Sequence, residues 1–157
     1  MDSEIALLLR IIDQSYVKKA WHGPNLRGSL RGLTAGEAAW RPHAGRHNIW
    51  EIAVHAAYWK YAVGRRLTGA KRGSFPLKGS NWFPRTSDLT EKLWLEDLRL
   101  LEQMHRDMCA AIGKLSAKDL PRKAPGGSST IEAVVYGIAC HDVYHAGQIQ
   151  LLKRLMK

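Results

Sequence analysis

Four stretches of the sequence place apolar residues at the spacing of an amphipathic α-helix, and this pattern constrains the fold more than any other feature. The stretches run from Ile5 to the stop at Gly23-Pro24, from about Asn48 to Leu67, from Thr90 to about Leu115, and from Ser129 to the last residue. No region has the alternating pattern of strands. We therefore predict an all-α fold, a four-helix bundle formed by one domain over residues 1–157.

Capping boxes support the predicted helix starts. Asn48 is followed by Glu51, and Ser129 is followed by Glu132, each at the three-residue spacing that satisfies the first backbone N–H groups of a helix. A third box, Thr34-Ala-Gly-Glu37, predicts a short helical turn before the second stretch. The long Gly- and Pro-rich connection over residues 69–87 is irregular, and a loop of this length in a compact domain is typical of a functional segment.

Composition excludes several classes of protein. The hydrophobic fraction of 45% is that of a folded globular chain, and no apolar run approaches the roughly 18 residues of a membrane span. The acidic start, with Asp2 and Glu4, does not resemble a signal peptide, so we expect a cytoplasmic protein with no membrane partner. The net charge of +10 comes from scattered Lys and Arg pairs at predicted helix ends and in loops, which does not favour a nucleic-acid partner.

Cys109 and Cys140 are the only cysteines, and they form no CxxC motif. Two cysteines are too few for a disulfide framework. We predict that both are free thiols in the core, because free cysteine is among the residues most often buried.

The fourth stretch carries polar residues on its apolar face. At 100° per residue, Ile131, Val135, Ile138 and Ile149 share one stripe, and His145 falls in the middle of it. Asp142 also lies within the stripe and His141 at its edge. Unpartnered polar groups in a core cost a few kcal/mol each, so these side chains need partners.

A divalent metal ion would satisfy the two histidines. Residues four apart on a helix have Cβ atoms about 5–6 Å apart, so His141 and His145 can bind one ion. His55 lies at the edge of the apolar arc of the second stretch, and we predict that it supplies the third ligand. Three histidines leave a coordination position open, as in reactive metal sites. The alternative is that these histidines are hydrogen-bonded core residues. His47, two turns from His55, lies too far away to join them.

Asp142 and Gln148 are the residues that we place beside the metal as candidate catalytic residues. His141-Asp-Val-Tyr-His145 resembles the zinc-protease motif with Asp in place of Glu, but this carboxylate is one methylene too short for the general base. We expect Asp142 to hydrogen-bond a neighbouring group and hold a ligand tautomer. Gln148 points to the same side of the helix as the two histidines and would orient substrate or a bound water. The alternative is an ordinary hydrogen bond between helices.

Two segments resemble the DinB/YfiT-like family of metal-dependent bundle proteins. One is His47-Asn-Ile-Trp-Glu-Ile-Ala-Val-His55-Ala-Ala-Tyr-Trp59, and the other, more specific, is His141-Asp-Val-Tyr-His145-Ala-Gly-Gln148-Ile149. Thr90-Glu-Lys-Leu-Trp94 is similar to the start of the family's third helix. The resemblance implies an up-down-down-up bundle, a three-histidine site for nickel or zinc, and a homodimer. For characterised relatives it also implies transferase or isomerase chemistry with bacterial low-molecular-weight thiols.

The sequence leaves three functions open. The preferred hypothesis is a thiol-dependent S-transferase, in which a small-molecule thiol binds at the open position as a thiolate and attacks an electrophilic substrate. Arg65 or Arg66 would hold an anionic cosubstrate, and we expect Trp59 and Trp82 to approach the site. The alternatives are a hydrolase that uses metal-activated water and a non-catalytic metal-binding or DNA-binding dimer.

Overall fold

The computed structural model describes residues 2–157, and the regular secondary structure of this part of the chain is helical, with no β-strand. Its helices, in chain order, are α1 (Ser3–Tyr16), α2 (Leu26–Leu30), α3 (Ala35–Ala39), α4 (Ile49–Thr68), α5 (Glu91–Ile112) and α6 (Ile131–Leu155), with a single 3₁₀ turn at Ala117–Asp119. The predicted all-α class is confirmed. The four long helices α1, α4, α5 and α6 correspond to the four periodic stretches.

Side-chain caps fix where most of these helices begin. The Asn48 side chain accepts a hydrogen bond from the Glu51 backbone N–H, and the Glu51 carboxylate accepts one from the Asn48 backbone, so the predicted capping box of α4 is confirmed. The predicted start of α6 at Ser129 is wrong by one residue. Thr130 is the capping residue, since its hydroxyl accepts from the Ala133 N–H.

The first helix is shorter than the sequence predicts. It ends at Tyr16 rather than near Gly23-Pro24, and turns lead from there to α2, which the periodicity did not predict. The Asn25 side chain caps the start of α2 by accepting a hydrogen bond from the Gly28 N–H. This cap favours a helix although the apolar pattern of the short segment is weak. The predicted turn at Thr34 is confirmed as α3, with both hydrogen bonds of its capping box present.

Helix α4 lies at the centre of the molecule. It contacts α5 along most of its length and α6 on another side, and α6 also packs against α1. One apolar cluster surrounds the first half of α4 and includes Trp50 and Trp94, while a second joins α1 to the later turns of α5 and the early turns of α6. The seam between α4 and α6 therefore crosses the interior, and polar side chains on it must find partners there.

The prediction for the two cysteines is confirmed only in part. Both cysteines are free, but the prediction that both lie in the core is wrong, because Cys140 is exposed on α6 and Cys109 is half-buried.

None of the helices within residues 2–157 combines the length and apolarity that a bilayer crossing requires.

Candidate metal centre

Three histidines meet at the seam between α4 and α6. His55 comes from the second turn of α4, and His141 and His145 come from successive turns of α6. The Nε2 atom of His141 lies 3.1 Å from Nε2 of His55 and 3.0 Å from Nε2 of His145. Two nitrogens bound to one ion at about 2.0–2.1 Å lie about 2.9–3.4 Å apart for octahedral to tetrahedral angles. We call these three residues the histidine cluster, and their spacing fits one divalent ion.

The outer ring nitrogens explain why the Nε2 atoms need an ion. Nδ1 of His55 lies 2.8 Å from the Asn81 carbonyl oxygen, which only accepts, so this nitrogen carries the hydrogen and Nε2 is a bare lone pair. Nδ1 of His145 donates in the same way to Oε1 of Gln148 at 2.7 Å. Nε2 of His141 has at most one hydrogen to share between two acceptors. Without an ion, at least one pair of lone pairs is opposed across about 3 Å.

Burial keeps the histidine cluster neutral. Loss of solvent lowers the pKa of His55 to about 4, and the neighbouring imidazoles add to the effect. The same cause lowers the pKa of His141 to about 3 and also lowers the pKa of His145. Neutral imidazole is the form that binds a metal ion, so all three rings are ready to act as ligands at neutral pH.

Comparison with protein families agrees with this geometry. The model of the DinB superfamily matches residues 20–149, which is well over half of the chain and includes all three histidines. The chain belongs to the DinB superfamily. No curated protein and no solved structure gave a significant match. The resemblance predicted from the two histidine segments is therefore confirmed at the level of the family.

In this DinB-superfamily chain, one residue of the long connection supports the cluster from outside. Asn81 adopts a left-handed backbone conformation with φ 64°, which Asn tolerates better than most residues. Its carbonyl accepts from His55, and its side-chain Oδ1 accepts from Nε1 of Trp59 at 2.9 Å. The connection thus orients a candidate ligand, as expected for a hydrogen bond to the outer nitrogen of a metal-binding histidine.

Aromatic rings enclose the cluster, as the sequence predicted for Trp59 and Trp82. The Trp82 ring is stacked between two imidazoles, 3.8 Å from the His55 ring and 3.6 Å from the His47 ring. Trp59 approaches His55 and His141 edge-on, with ring centroids 6.4 Å from each. His47 itself stays outside the histidine cluster, as predicted. These rings limit access of water to the cluster and so strengthen electrostatic interactions within it.

The end of the same connection is held by buried ion pairs. The Glu51 carboxylate accepts from the Arg41 guanidinium and from the Arg85 backbone N–H, while the Arg85 guanidinium binds Asp97 on α5 at 2.7 Å. Arg41 and the other donors lower the pKa of Glu51 to about 2 against the opposing effect of its burial. Asp97 also accepts from Nε1 of Trp50 at 2.6 Å. The segment that carries Asn81 and Trp82 is therefore fixed against α4 and α5.

The two candidate catalytic residues have different surroundings. Gln148 lies one turn beyond His145 and bonds its outer nitrogen, so it contacts a candidate ligand directly. Asp142 is fully buried and accepts from Nζ of Lys60, which is also fully buried. The neighbouring group that hydrogen-bonds Asp142 is therefore Lys60, and within residues 2–157 no histidine donates to this carboxylate. We call Lys60 and Asp142 the charged pair.

Lys60 and Asn81 were not predicted from the sequence. Lys60 follows Ala53, Ala56 and Ala57 at helical spacing, and a lysine in line with buried alanines could have indicated a buried cation. Its Nζ lies 4.8 Å from the centroid of the Tyr16 ring, so an aromatic face as well as a carboxylate surrounds it. Asn81 offered no such signal, because loop contacts with a helix do not follow a sequence period.

Proposed function

We propose that this protein is a metal-dependent enzyme that transfers a low-molecular-weight thiol to an electrophilic substrate. The observation that carries the proposal is the convergence of three Nε2 atoms whose outer nitrogens are engaged elsewhere or buried. His55, His141 and His145 would hold the ion, and nickel or zinc are the preferred candidates because the family resemblance implies them and an imidazole site accepts either. Family membership and the neutral state of the rings support the same assignment.

The surroundings of the histidine cluster favour a thiol over water as the nucleophile. A divalent cation held by the three histidines would lower the pKa of a coordinated thiol or water and would so supply a nucleophile at neutral pH. Hydrolysis of an ester or amide by metal-activated water usually also needs a general acid–base residue that transfers a proton to the leaving group. The nearest candidate in the sequence, Asp142, is engaged by Lys60, and the group of potential ligands contains histidines alone among residues 2–157. A thiol needs no such residue once it is coordinated.

Residues of the chain would position the reactants. Gln148 would hold His145 in the tautomer that presents Nε2, and Asn81 would do the same for His55. Asp142 would act on the site only through α6, by fixing this helix to α4 through Lys60. We further propose that α1, α4, α5 and α6 form the up-down-down-up bundle of the family. The predicted homodimer and single domain, like the cytoplasmic location, stay predictions.

Elemental analysis of untagged protein tests the metal site first. We expect about one equivalent of a transition metal in the parent and its loss in His55→Ala and His141→Ala, because two imidazoles hold an ion far more weakly than three. His43→Ala is the matched control, since His43 is exposed in a loop outside the cluster. A metal-free parent that cannot be reconstituted would overturn the proposal.

A kinetic assay then tests the reaction. We would follow loss of cysteine thiol with 1-chloro-2,4-dinitrobenzene, and extend the panel to other thiols and electrophiles. Turnover that requires both the metal and a thiol supports the S-transferase. Turnover of ester or amide substrates with water as the sole nucleophile would contradict the S-transferase and favour the hydrolase.

A further inference from the structure

A cavity lies beside the histidine cluster. It has a volume of about 630 Å³ and is formed by the last turns of α4 and the first part of the connection over residues 69–80. This volume is within the range of about 300–1,000 Å³ that small-molecule sites occupy. Trp59 is a wall of this cavity and also approaches His55 and His141 edge-on. The cavity and the cluster are therefore separated by one side chain.

The charge of this cavity is entirely positive. Four cationic side chains line it, Arg65, Arg66, Arg72 and Lys78, and no Asp or Glu does. None of the four takes part in an ion pair within residues 2–157. Like charges gathered in a concave site repel each other and focus a positive potential, which an anion would relieve.

Arg66 adds an unpartnered donor to this arrangement. Its Nε atom is buried and has no hydrogen-bond partner. A buried guanidinium N–H without an acceptor is costly, since most buried donors in proteins are paired. Arg41 and Arg85 at the other end of the connection show the contrast, because carboxylates bind both of them.

Four aromatic residues form much of the remaining wall of the cavity. Tyr58, Trp59, Tyr61 and Phe75 contribute rings, and Phe75 packs against Tyr58 and Tyr61 with centroids 5.4 and 5.3 Å apart. Such walls favour a ligand with an apolar or planar part as well as charge, since aromatic faces bind planar groups and exclude water. An inorganic ion alone would leave most of this surface without contacts.

We propose that this cavity binds a small organic anion, with a phosphate, phosphonate or carboxylate group held by Arg65, Arg66 and Arg72 and an apolar part against Trp59. Arginine suits this role because its planar guanidinium binds oxyanions with two parallel hydrogen bonds. As the substrate site of the metal centre, this inference rests on the proposed function. As an anion site, it stands on the cavity alone.

Calorimetry with matched probes tests the site. We would titrate 1-naphthylphosphonate, 1-naphthoate, 1-naphthol and inorganic phosphate into the full chain at about physiological ionic strength, so that weak surface binding is screened. The naphthyl anions should bind about tenfold more tightly than either 1-naphthol or phosphate, because only they use both the cations and the rings. The order of the phosphonate and the carboxylate identifies the preferred oxyanion.

Variants locate the binding. Arg66→Gln and Arg72→Gln should each weaken the naphthyl anions about tenfold, whereas Arg10→Gln, an exposed arginine of α1 outside the cavity, should leave affinity unchanged. Arg72 is exposed in the connection, so its variant keeps the test valid if Arg66→Gln does not fold. Trp59→Leu should reduce the advantage of the naphthyl anions over phosphate.

The outcomes separate this inference from the proposed function. Anion binding that persists in chelated protein and in His141→Ala supports the cavity even if the metal site fails. Affinities unchanged in both Arg66→Gln and Arg72→Gln, or reduced equally in Arg10→Gln, would overturn the inference while leaving the metal centre intact. Naphthyl anions that bind no better than phosphate would overturn it as well.

Discussion

The histidine cluster and the charged pair are two buried polar centres on the same two helices. His141 and Asp142 are neighbours on α6, and Lys60 follows His55 by little more than one turn of α4. In the charged pair the chain supplies both a cation and an anion, which lie in direct contact. In the histidine cluster it supplies three nitrogens of one kind, aimed at each other.

This difference shows which centre contains its own counter-charge, although Oδ1 of Asp142 is buried without a hydrogen-bond partner within residues 2–157. Burial raises the pKa of the Asp142 carboxyl, and Lys60 opposes that rise, so the opposite charge comes from within the fold. The histidine cluster has no internal cation to satisfy its lone pairs, and the rings are held in place by Asn81 and Gln148 rather than by each other. A structural centre contains its own partner, whereas a binding centre is built to receive one.

The largest expected effect comes from breaking the charged pair. Lys60→Met leaves the fully buried Asp142 carboxylate without its cation, and we expect the free energy of unfolding to fall by about 3–5 kcal/mol in urea denaturation of the metal-free protein. The double variant Lys60→Met, Asp142→Leu should recover most of that loss, because a buried ion pair can be replaced by apolar residues at little cost. A double variant no more stable than the single one would show that the two residues do not act as a pair.

The increase in stability on metal binding should depend on the histidine cluster and not on the charged pair. With zinc at about one hundred times its Kd, the free energy of unfolding should rise by about 2.7 kcal/mol, since zinc binds the folded chain. His141→Ala should abolish this increase. The double variant of the charged pair should retain the increase. Thermal unfolding with and without zinc measures it in each variant. Equal loss of the increase in both variants would contradict the division into two centres.

Gln148→Ala should weaken zinc without removing it. Its Oε1 fixes the tautomer of His145, and loss of a partner of this kind lowers metal affinity by about 10- to 100-fold. Gln150→Ala is the matched control on the same helix. Competition with a chromophoric chelator measures both affinities. Equal zinc affinities for the two variants would show that Gln148 does not contribute to metal binding.

The smallest effect near neutral pH concerns His105, which lies beside the charged pair. Burial, reinforced by Lys60 and Arg27, lowers the pKa of His105 to about 3 from its usual 6.5. The neutral ring therefore stabilises the folded state above pH 6.5, and this contribution is lost as pH falls from 6.5 towards 3. The slope from one such group is at most about 1.4 kcal/mol per pH unit. His105→Leu should flatten the stability curve over that range, and parallel curves would contradict the lowered pKa.

The sequence predicted the parts of the site that depend on helical periodicity. His141 and His145 were found because their phase on α6 follows from 3.6 residues per turn, and Asn48 marked the start of α4 to the residue. The partners of these residues were harder to predict. Lys60 pairs with Asp142 across two helices, and Asn81 reaches His55 from a loop, so both contacts depend on tertiary structure.

Local rules also failed where two residues competed for one role. Ser129 and Thr130 are both good capping residues, and the Glu132 spacing favoured Ser129, yet Thr130 caps α6. Cys140 was assigned to the core by residue type alone, although its position on the outer face of α6 exposes it. Burial of a small residue depends on which side of the helix faces the core, not on how often its type is buried.

Asn81 contacts both the wall of the cavity and a residue of the histidine cluster. Its side chain accepts from Trp59, and its carbonyl accepts from His55, across one short stretch of backbone. A ligand that moved Trp59 would therefore act on the residue that supports His55, and the reverse also holds. Thermodynamic reciprocity then requires that any factor by which a cavity ligand changes metal affinity equals the factor by which the metal changes ligand affinity. Any such coupling between the two sites would pass through this single asparagine.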